Sequence, residues 1–322
     1  MKRWLIILTA SMLILSLFAC ATEQAPDPLD DFNNVPTDQT SADTGLRRTV
    51  IYLGCDEGYI VPVMRMIPWE EGIGKAALSY LIDSGYNSTA LASQGLIAPI
   101  PEGAQISLRI AETGSATVDI SGIGDFESAE EEMMMVTAVV NTLLEFPTIN
   151  NVSMYVNGKT DDLKNGTVLP QNSMYIPLNV MLNEAETISG DGYSAHEVYF
   201  TNGGGSINIP ITIYGKQGMG FRDAVDIMVN GVDLPGIRCC FPEGTRLIDA
   251  RIEGSSAIVN LSSEFLEMAH YDGLALAAYE TLFLTASSFE AISELILMVD
   301  GVTYFSDDTV LPMPVFANEF GY

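Results

Sequence analysis

The chain has 322 residues, 48% of them hydrophobic, and sets 14 Lys and Arg against 42 Asp and Glu for a formal net charge of −28. That length suits two domains of ordinary size, each with apolar residues enough for a core. A balance so acidic repels phosphate backbones, anionic headgroups and other polyanions, which excludes nucleic acid as a partner.

Residues 1–20 read as a targeting segment, outside the fold. Lys2 and Arg3 give it a charged start, and Trp4 to Ala19 is an apolar run slightly short for a spanning helix. Leu17-Phe18-Ala19-Cys20 reads as a lipobox, so Cys20 is expected to be the cleavage point, to carry acyl chains and to become the mature N-terminus. Residues 21–48 mix Pro, Asp, Asn, Thr and Ser without periodicity and read as a disordered tether.

Domain one, residues 49–180, is predicted to open with strand Thr49–Leu53, a turn at Asp56-Glu57-Gly58 and strand Tyr59–Ile67. A short amphipathic helix follows from Gly74, with Gly85 placed as its C-cap. Next comes PEGAQISLRIAETGSATVDIS, Pro101–Ser121, two alternating runs around a glycine turn and therefore a β-hairpin. Ser128-Ala-Glu-Glu131 has the spacing of a capping box and begins a helix through Met133, Val136, Val140 and Leu144, closed by Pro147. Asn151–Val156 is the last strand, and residues 181–195 are a linker.

Domain two, residues 196–322, repeats the plan. The expected elements are Glu197–Phe200, a Gly203-Gly204-Gly205 turn, Ile207–Tyr214, a helix Phe221–Asn230, a hairpin Pro242–Ser262, one helix from Phe265 to Ser287 and strand Glu294–Val299. The two hairpins are copies: Pro101 pairs with Pro242 and Ser121 with Ser262, an offset of 141 at both ends. Further matches are Val61-Pro62 with Ile209-Pro210, Gly74 and Gly85 with Gly220 and Gly231, Val156-Asn157-Gly158 with Val299-Asp300-Gly301, and Val168-Leu169-Pro170 with Val310-Leu311-Pro312. Insertions are expected in loops, the largest being Asn87–Gln94 in the first copy. The fold class is thus α/β, an α+β sandwich of two ββαββαβ domains with helices packed on one face of a sheet. Asn141 and Glu280 interrupt the two long helices, so neither reads as a membrane span.

The order of these marks resembles the GerMN domain, and two such domains behind a lipoprotein signal resemble the GerM family of sporulation and germination lipoproteins. The motifs that carry it are the aromatic first strand, the Pro-x-Gly turn before a hairpin ending Val-Asp-Ile-Ser, the long helix and the closing strand with Asn/Asp-Gly. The resemblance implies a ring-building type of module and partners among envelope or sporulation-complex proteins, at the boundary between mother cell and forespore.

The residues offer little chemistry. Cys55, Cys239 and Cys240 lack Cys-x-x-Cys spacing and neighbouring histidines, which speaks against zinc; buried free thiols are expected, with a bridge from Cys55 across the domains as the other possibility. His196 and His270 are the two histidines, and Ser263, His270 and Asp272 lack the nucleophile elbow a hydrolase triad needs. The triple glycine lacks the Gly-Lys-Ser/Thr of a phosphate loop, and Glu130-Glu131-Glu132 reads as a solvated face. No catalytic, cofactor or metal residues are therefore assigned, and Cys20, as a lipidation site, is the one designated position. The expected function is a non-catalytic scaffold on the outer face of the cytoplasmic membrane. The second reading is a lipoprotein binding a cell-wall fragment or small solute between its domains.

Overall fold

Alternating apolar side chains and a glycine turn set the first hairpin. Strand β1 (Leu46–Cys55) runs antiparallel to β2 (Ile60–Pro68), from Leu46 opposite Pro68 to Gly54 opposite Ile60. The computed structural model describes residues 45–68, 72–181, 193–216, 219–270, 273–305 and 314–319. The targeting segment, Cys20, most of the tether and of the linker, Asp272 and Val310-Leu311-Pro312 lie outside them. β1 starts at Leu46, inside the stretch read as tether.

Repeat one continues with α1 (Ile73–Ser79), α2 (Gly85–Ala92), β3 (Leu96–Ile97), β4 (Gln105–Ile110), β5 (Ser115–Ser121), α3 (Ala129–Leu144) and β6 (Asn151–Val156). Repeat two holds β7 (Tyr193–Asn202), β8 (Asn208–Lys216), α4 (Phe221–Asn230), β9 (Ile237–Arg238), β10 (Leu247–Glu253), β11 (Ser256–Leu261), a 3₁₀ segment (Ser263–His270), α5 (Leu274–Ser287), β12 (Glu294–Val299) and β13 (Val302–Thr303). Each repeat builds two small sheets, β2-β1-β3 with β4-β5-β6, and β8-β7-β9 with β10-β11-β12-β13. In each, an antiparallel hairpin is extended by a parallel strand reached through the long helix: β5 to β6 through α3, β11 to β12 through α5.

Helix α3 packs on both β1 and β6, so it is covered on nearly all sides from Met135 onward. Met135, Ala138, Val139, Val140 and Leu143 are wholly buried, with Leu53, Val118 and Met154 of the strands. Burying a side chain of this size contributes about 1.5–3 kcal/mol. Two of its polar residues are buried because the backbone needs them. Thr142 Oγ1 accepts from the Tyr52 N–H at 3.0 Å, and Asn141 pairs with both backbone groups of Ile176 at 2.8 and 3.0 Å. Repeat two preserves the first bond, Tyr199 N–H donating to Thr285 Oγ1 at 2.9 Å.

The closing turns also match. Asn157 and Asp300 take positive φ of 50° and 47°, and the N–H groups of Gly158 and Gly301 donate to Asp119 Oδ1 and Asn260 Oδ1 at 3.1 and 3.0 Å. Gly114, at the hairpin tip, has φ 81°, and a Cβ there would stand 2.3 Å from Asn150 Nδ2, so both conformation and space demand glycine.

Four expectations change. Gly85 does not cap α1: that helix ends at Ser79 and Gly85 begins α2, because Asn87 Nδ2 bonds the Tyr80 and Ile82 carbonyls and does the capping itself. The insertion Asn87–Gln94 accordingly lies mostly in that helix, not in a loop. The single helix expected over Phe265–Ser287 is divided into the 3₁₀ segment and α5, since Gly273 adopts φ 81° at the break. The capping box is half formed: Ser128 Oγ accepts from Glu131 N–H at 3.2 Å, but the Glu131 carboxylate bonds the N–H of Glu127.

Candidate functional site

The residues with potential chemistry are scattered. His196 lies within β7, its ring stacked on Phe289 at 4.0 Å, and burial lowers its pKa. Ser263 and His270 are the two ends of the 3₁₀ segment. Cys55, Cys239 and Cys240 are free thiols. Burial pushes the Cys55 thiol up to about 12, which leaves it protonated and inert. Asn202 Oδ1 accepts from Ser206 and Ile207 N–H at 3.0 and 3.2 Å, so the triple-glycine segment is a side-chain-braced turn. No cluster of three or more metal-ligating side chains occurs among the described residues.

The acidic run is not wholly a solvated face. Glu132 is fully buried, and its carboxylate accepts from Asn165 N–H at 2.8 Å, Asn165 Nδ2 at 3.1 Å and Thr167 N–H at 3.2 Å. Burial alone would raise its pKa, but the bonds from Asn165 and Thr167 prevail and hold it below the usual carboxylate range. Glu132 thereby fixes the loop that walls a cleft of about 220 Å³, lined by Asp125, Lys159, Asp161, Asp162 and Lys164 among others.

The seam between the repeats holds the most polar structure. Asn179 Oδ1 accepts from Ile60 N–H at 2.8 Å while its amide donates to the carbonyls of Ile60 and Pro210 at 2.7 and 2.8 Å. Asn318 does the same from the other repeat, accepting from Asn208 N–H at 2.8 Å and donating to Asn208 and Pro62 carbonyls, each at 2.9 Å. Ile60 and Pro62 correspond to Asn208 and Pro210, an offset of 148 in both cases, so the two asparagines exchange roles about an approximate two-fold. The flanking backbone follows: Thr212 N–H donates to Leu178 carbonyl at 3.0 Å, and Met64 N–H to Asn318 carbonyl at 2.8 Å. Each repeat's tail thus covers the edge strand of the other repeat. Beside them, Tyr59 OH donates to Pro235 carbonyl at 2.8 Å.

A second bridge joins the repeats through tyrosines and carboxylates. Tyr52 OH donates to Glu145 Oε1 at 2.6 Å, Tyr175 OH to Glu197 Oε1, and Tyr199 OH to Glu197 Oε2 at 3.2 Å. Burial, reinforced by the neighbouring carboxylates, raises all three tyrosine pKa values, so these hydroxyls remain donors. Glu145 is raised as well, first by burial, with the Tyr52 bond opposing and the Glu197 charge adding.

A family model described as sporulation and spore germination matches residues 50–162 and 197–305, one interval per repeat. The chain belongs to that family. The spore germination protein GerM of Bacillus subtilis (strain 168) is 32% identical over 108 residues, covering 34% of this chain and 29% of that protein. The chain therefore spans under a third of the curated relative it matches. The solved tandem GerMN domains of the sporulation protein GerM from Bacillus subtilis superpose with a TM-score of 0.66 at 18% identity, over 86% of this chain and 100% of that one. At that identity the likeness concerns the fold, two tandem GerMN domains.

In this GerM-like chain the tail segments that close the seam lie beyond the matched intervals. Tyr175, Leu178, Asn179 and Asn318 all lie outside residues 50–162 and 197–305. The domain pattern does not reveal them, and a lone Asn in an irregular tail has no sequence signature. A repeat-aware alignment of Ile176-Pro177-Leu178-Asn179 with Val315-Phe316-Ala317-Asn318 is the signal that could have found both. The region that the solute-binding reading assigns to a ligand is crossed by these bonds, and none of the residues named in the seam lines the 220 Å³ cleft.

Proposed function

We propose that this GerM-like protein is a lipid-anchored, non-catalytic scaffold on the outer face of the cytoplasmic membrane, acting in sporulation or spore germination through contacts with envelope proteins. The observation that carries the reading is the seam. Both asparagine amides and the Tyr175–Glu197 pair bind the repeats to each other, which suits a rigid two-domain platform. Family membership supports the process, and Leu17–Cys20 supports the anchor. The negative charge suits a protein that must not adhere to anionic polymers.

The test has two parts. Cys20→Ala should leave unprocessed precursor or release the protein from membranes; mature protein that stays membrane-bound would refute the anchor. Single replacements of His196, Ser263, His270 and Glu130 should each leave sporulation and germination intact. Complete loss from one of them, with folding and localisation preserved, would instead reveal a chemical site.

A further inference from the structure

Among the described residues, the outer edges of β2, β6, β8 and β12 are each met, at least in part, by another segment. The edge of β2 is met by Asn318, and that of β8 by Leu178 and Met181. β6 is covered by the segment carrying Pro170 and Ser173, and β12 by β13. β10 is guarded by side chains and by its own irregularity. Its register shifts between Leu247 and Asp249, Arg222 Nη2 donates to the Ile248 carbonyl at 3.2 Å, and ion pairs link Asp249 to Arg222 and Arg251, and Arg251 to Glu253. Bulges and charges of this kind are how proteins protect an exposed edge.

The equivalent strand in repeat one, β4, has none of this. Its register with β5 runs unbroken from Gln105 opposite Ser121 to Ile110 opposite Ala116. Ala111 N–H bonds Ser115 carbonyl at 2.9 Å, so by alternation the N–H and C=O groups of Ile106, Leu108 and Ile110 face away from β5. No bond from the described residues reaches them. With the bulge taken into account, the positions of Arg222 and Asp249 are occupied in repeat one by Ala76 and Ser107, which removes the guard. Ser107, Arg109 and Ile110 are exposed, and Arg109 has no ion pair among the described residues.

We propose that the outer edge of β4 receives an extended segment of a partner protein as an added strand, with a carboxylate of that segment beside Arg109 and an apolar side chain against Ile110. The occupant follows from the edge: outward N–H and C=O groups at strand spacing are matched by another extended backbone. Charge selects against a second copy. β4 itself carries no carboxylate to meet Arg109, and two chains of charge −28 repel. The proposal rests on the scaffold reading and gives it a contact surface.

The test uses the full-length protein in its native membrane, with a photo-crosslinking amino acid in place of Ser107 on β4 or, as the control, Ile248 on β10. Mass spectrometry of the adducts should place the Ser107 cross-link on an acid-containing extended segment of another envelope protein, with none from the β10 position. Ile110→Pro removes one outward N–H and should abolish the adduct. Arg109→Glu, which leaves the backbone intact, should lower it about tenfold by setting like charges together. Adducts within the same chain, adducts to a second copy, or adducts indifferent to both substitutions would overturn the proposal. If Cys20-dependent localisation and tolerance of the single replacements hold while the Ser107 adduct is missing, the edge proposal fails alone and the scaffold reading stands.

Discussion

The two repeats solve one folding problem with different surfaces. Where they agree, the shared feature is a backbone group given a side-chain partner or a fixed turn: the first-strand N–H on Thr142 or Thr285, the closing turns at Asn157 and Asp300, the edge strands on Asn179 or Asn318. Where they differ, the change is peripheral. Repeat one adds α2, and repeat two adds the 3₁₀ segment ahead of its long helix. The hairpins show the rule most clearly. Repeat one turns through Glu112-Thr113-Gly114, whereas repeat two closes Glu253 against Ser256 through Gly254-Ser255 and places the saved residue in the bulge near Ile248. The base of the hairpin, Ile106 opposite Ile120 and Leu247 opposite Leu261, is unchanged. Duplication has kept the hydrogen-bond closures and let the exposed edges diverge.

The most direct way to break this comparison is at the seam. Asn179→Ala and Asn318→Ala each strip partners from three backbone groups, and each should cost about 2–4 kcal/mol in urea unfolding. Closely similar losses are expected from the approximate two-fold; a loss confined to one asparagine would show that the repeats are not equivalent there.

Glu132 tests the opposite case, a feature of repeat one alone, since Ala275 occupies its place in repeat two when Thr142 is aligned with Thr285. Glu132→Gln should cost about 1–3 kcal/mol by weakening bonds to the backbone N–H groups of Asn165 and Thr167. The folded pKa lies below the unfolded value, so wild-type stability from this group is present above the ordinary carboxylate range and is lost as pH falls through the lowered pKa. The variant should lack that part of the acid limb in a stability–pH series.

A smaller effect is expected from the paired threonines. Thr142→Val and Thr285→Val keep the shape but orphan the N–H groups of Tyr52 and Tyr199, at about 1–2 kcal/mol each. Unequal unfolding midpoints would mean that helix and strand are held differently in the two repeats. The smallest change is expected from Glu145→Gln. Its folded pKa is raised, so the group's contribution is full below the unfolded pKa and is lost as pH rises through the folded one. Glutamine should therefore be slightly stabilising near pH 7 and neutral below about pH 4; destabilisation at neutral pH would show that the charged carboxylate is what joins Tyr52 to the seam.

Much of this architecture is legible in the residues. Pro101–Ser121 and Pro242–Ser262 announce both hairpins, Ser128 announces α3, and Gly114 and Gly254 take positive φ of 81° and 63°. Local rules fail where a distant group decides. Gly85 looks like a cap until Asn87 takes the carbonyls, and Glu132 looks solvated until Asn165 and Thr167 enclose it. The break at Gly273 is marked by the turn dipeptide Asp272-Gly273, a local signal that the helical reading passes over. The seam is the least legible part, because its partners are far apart along the chain.

That distance has a kinetic consequence. Asn318 bonds the carbonyl of Pro62 across 256 positions, so the first hairpin's outer strand stays uncovered until the last residues of the chain are available. Long-range closures of this kind slow the search for the native state and couple its ends. The tandem should therefore unfold as one cooperative body. Amide-exchange protection in α3 and in α5 should be lost at the same denaturant concentration. A truncation before Asn318 should accordingly harm the first repeat as much as the second.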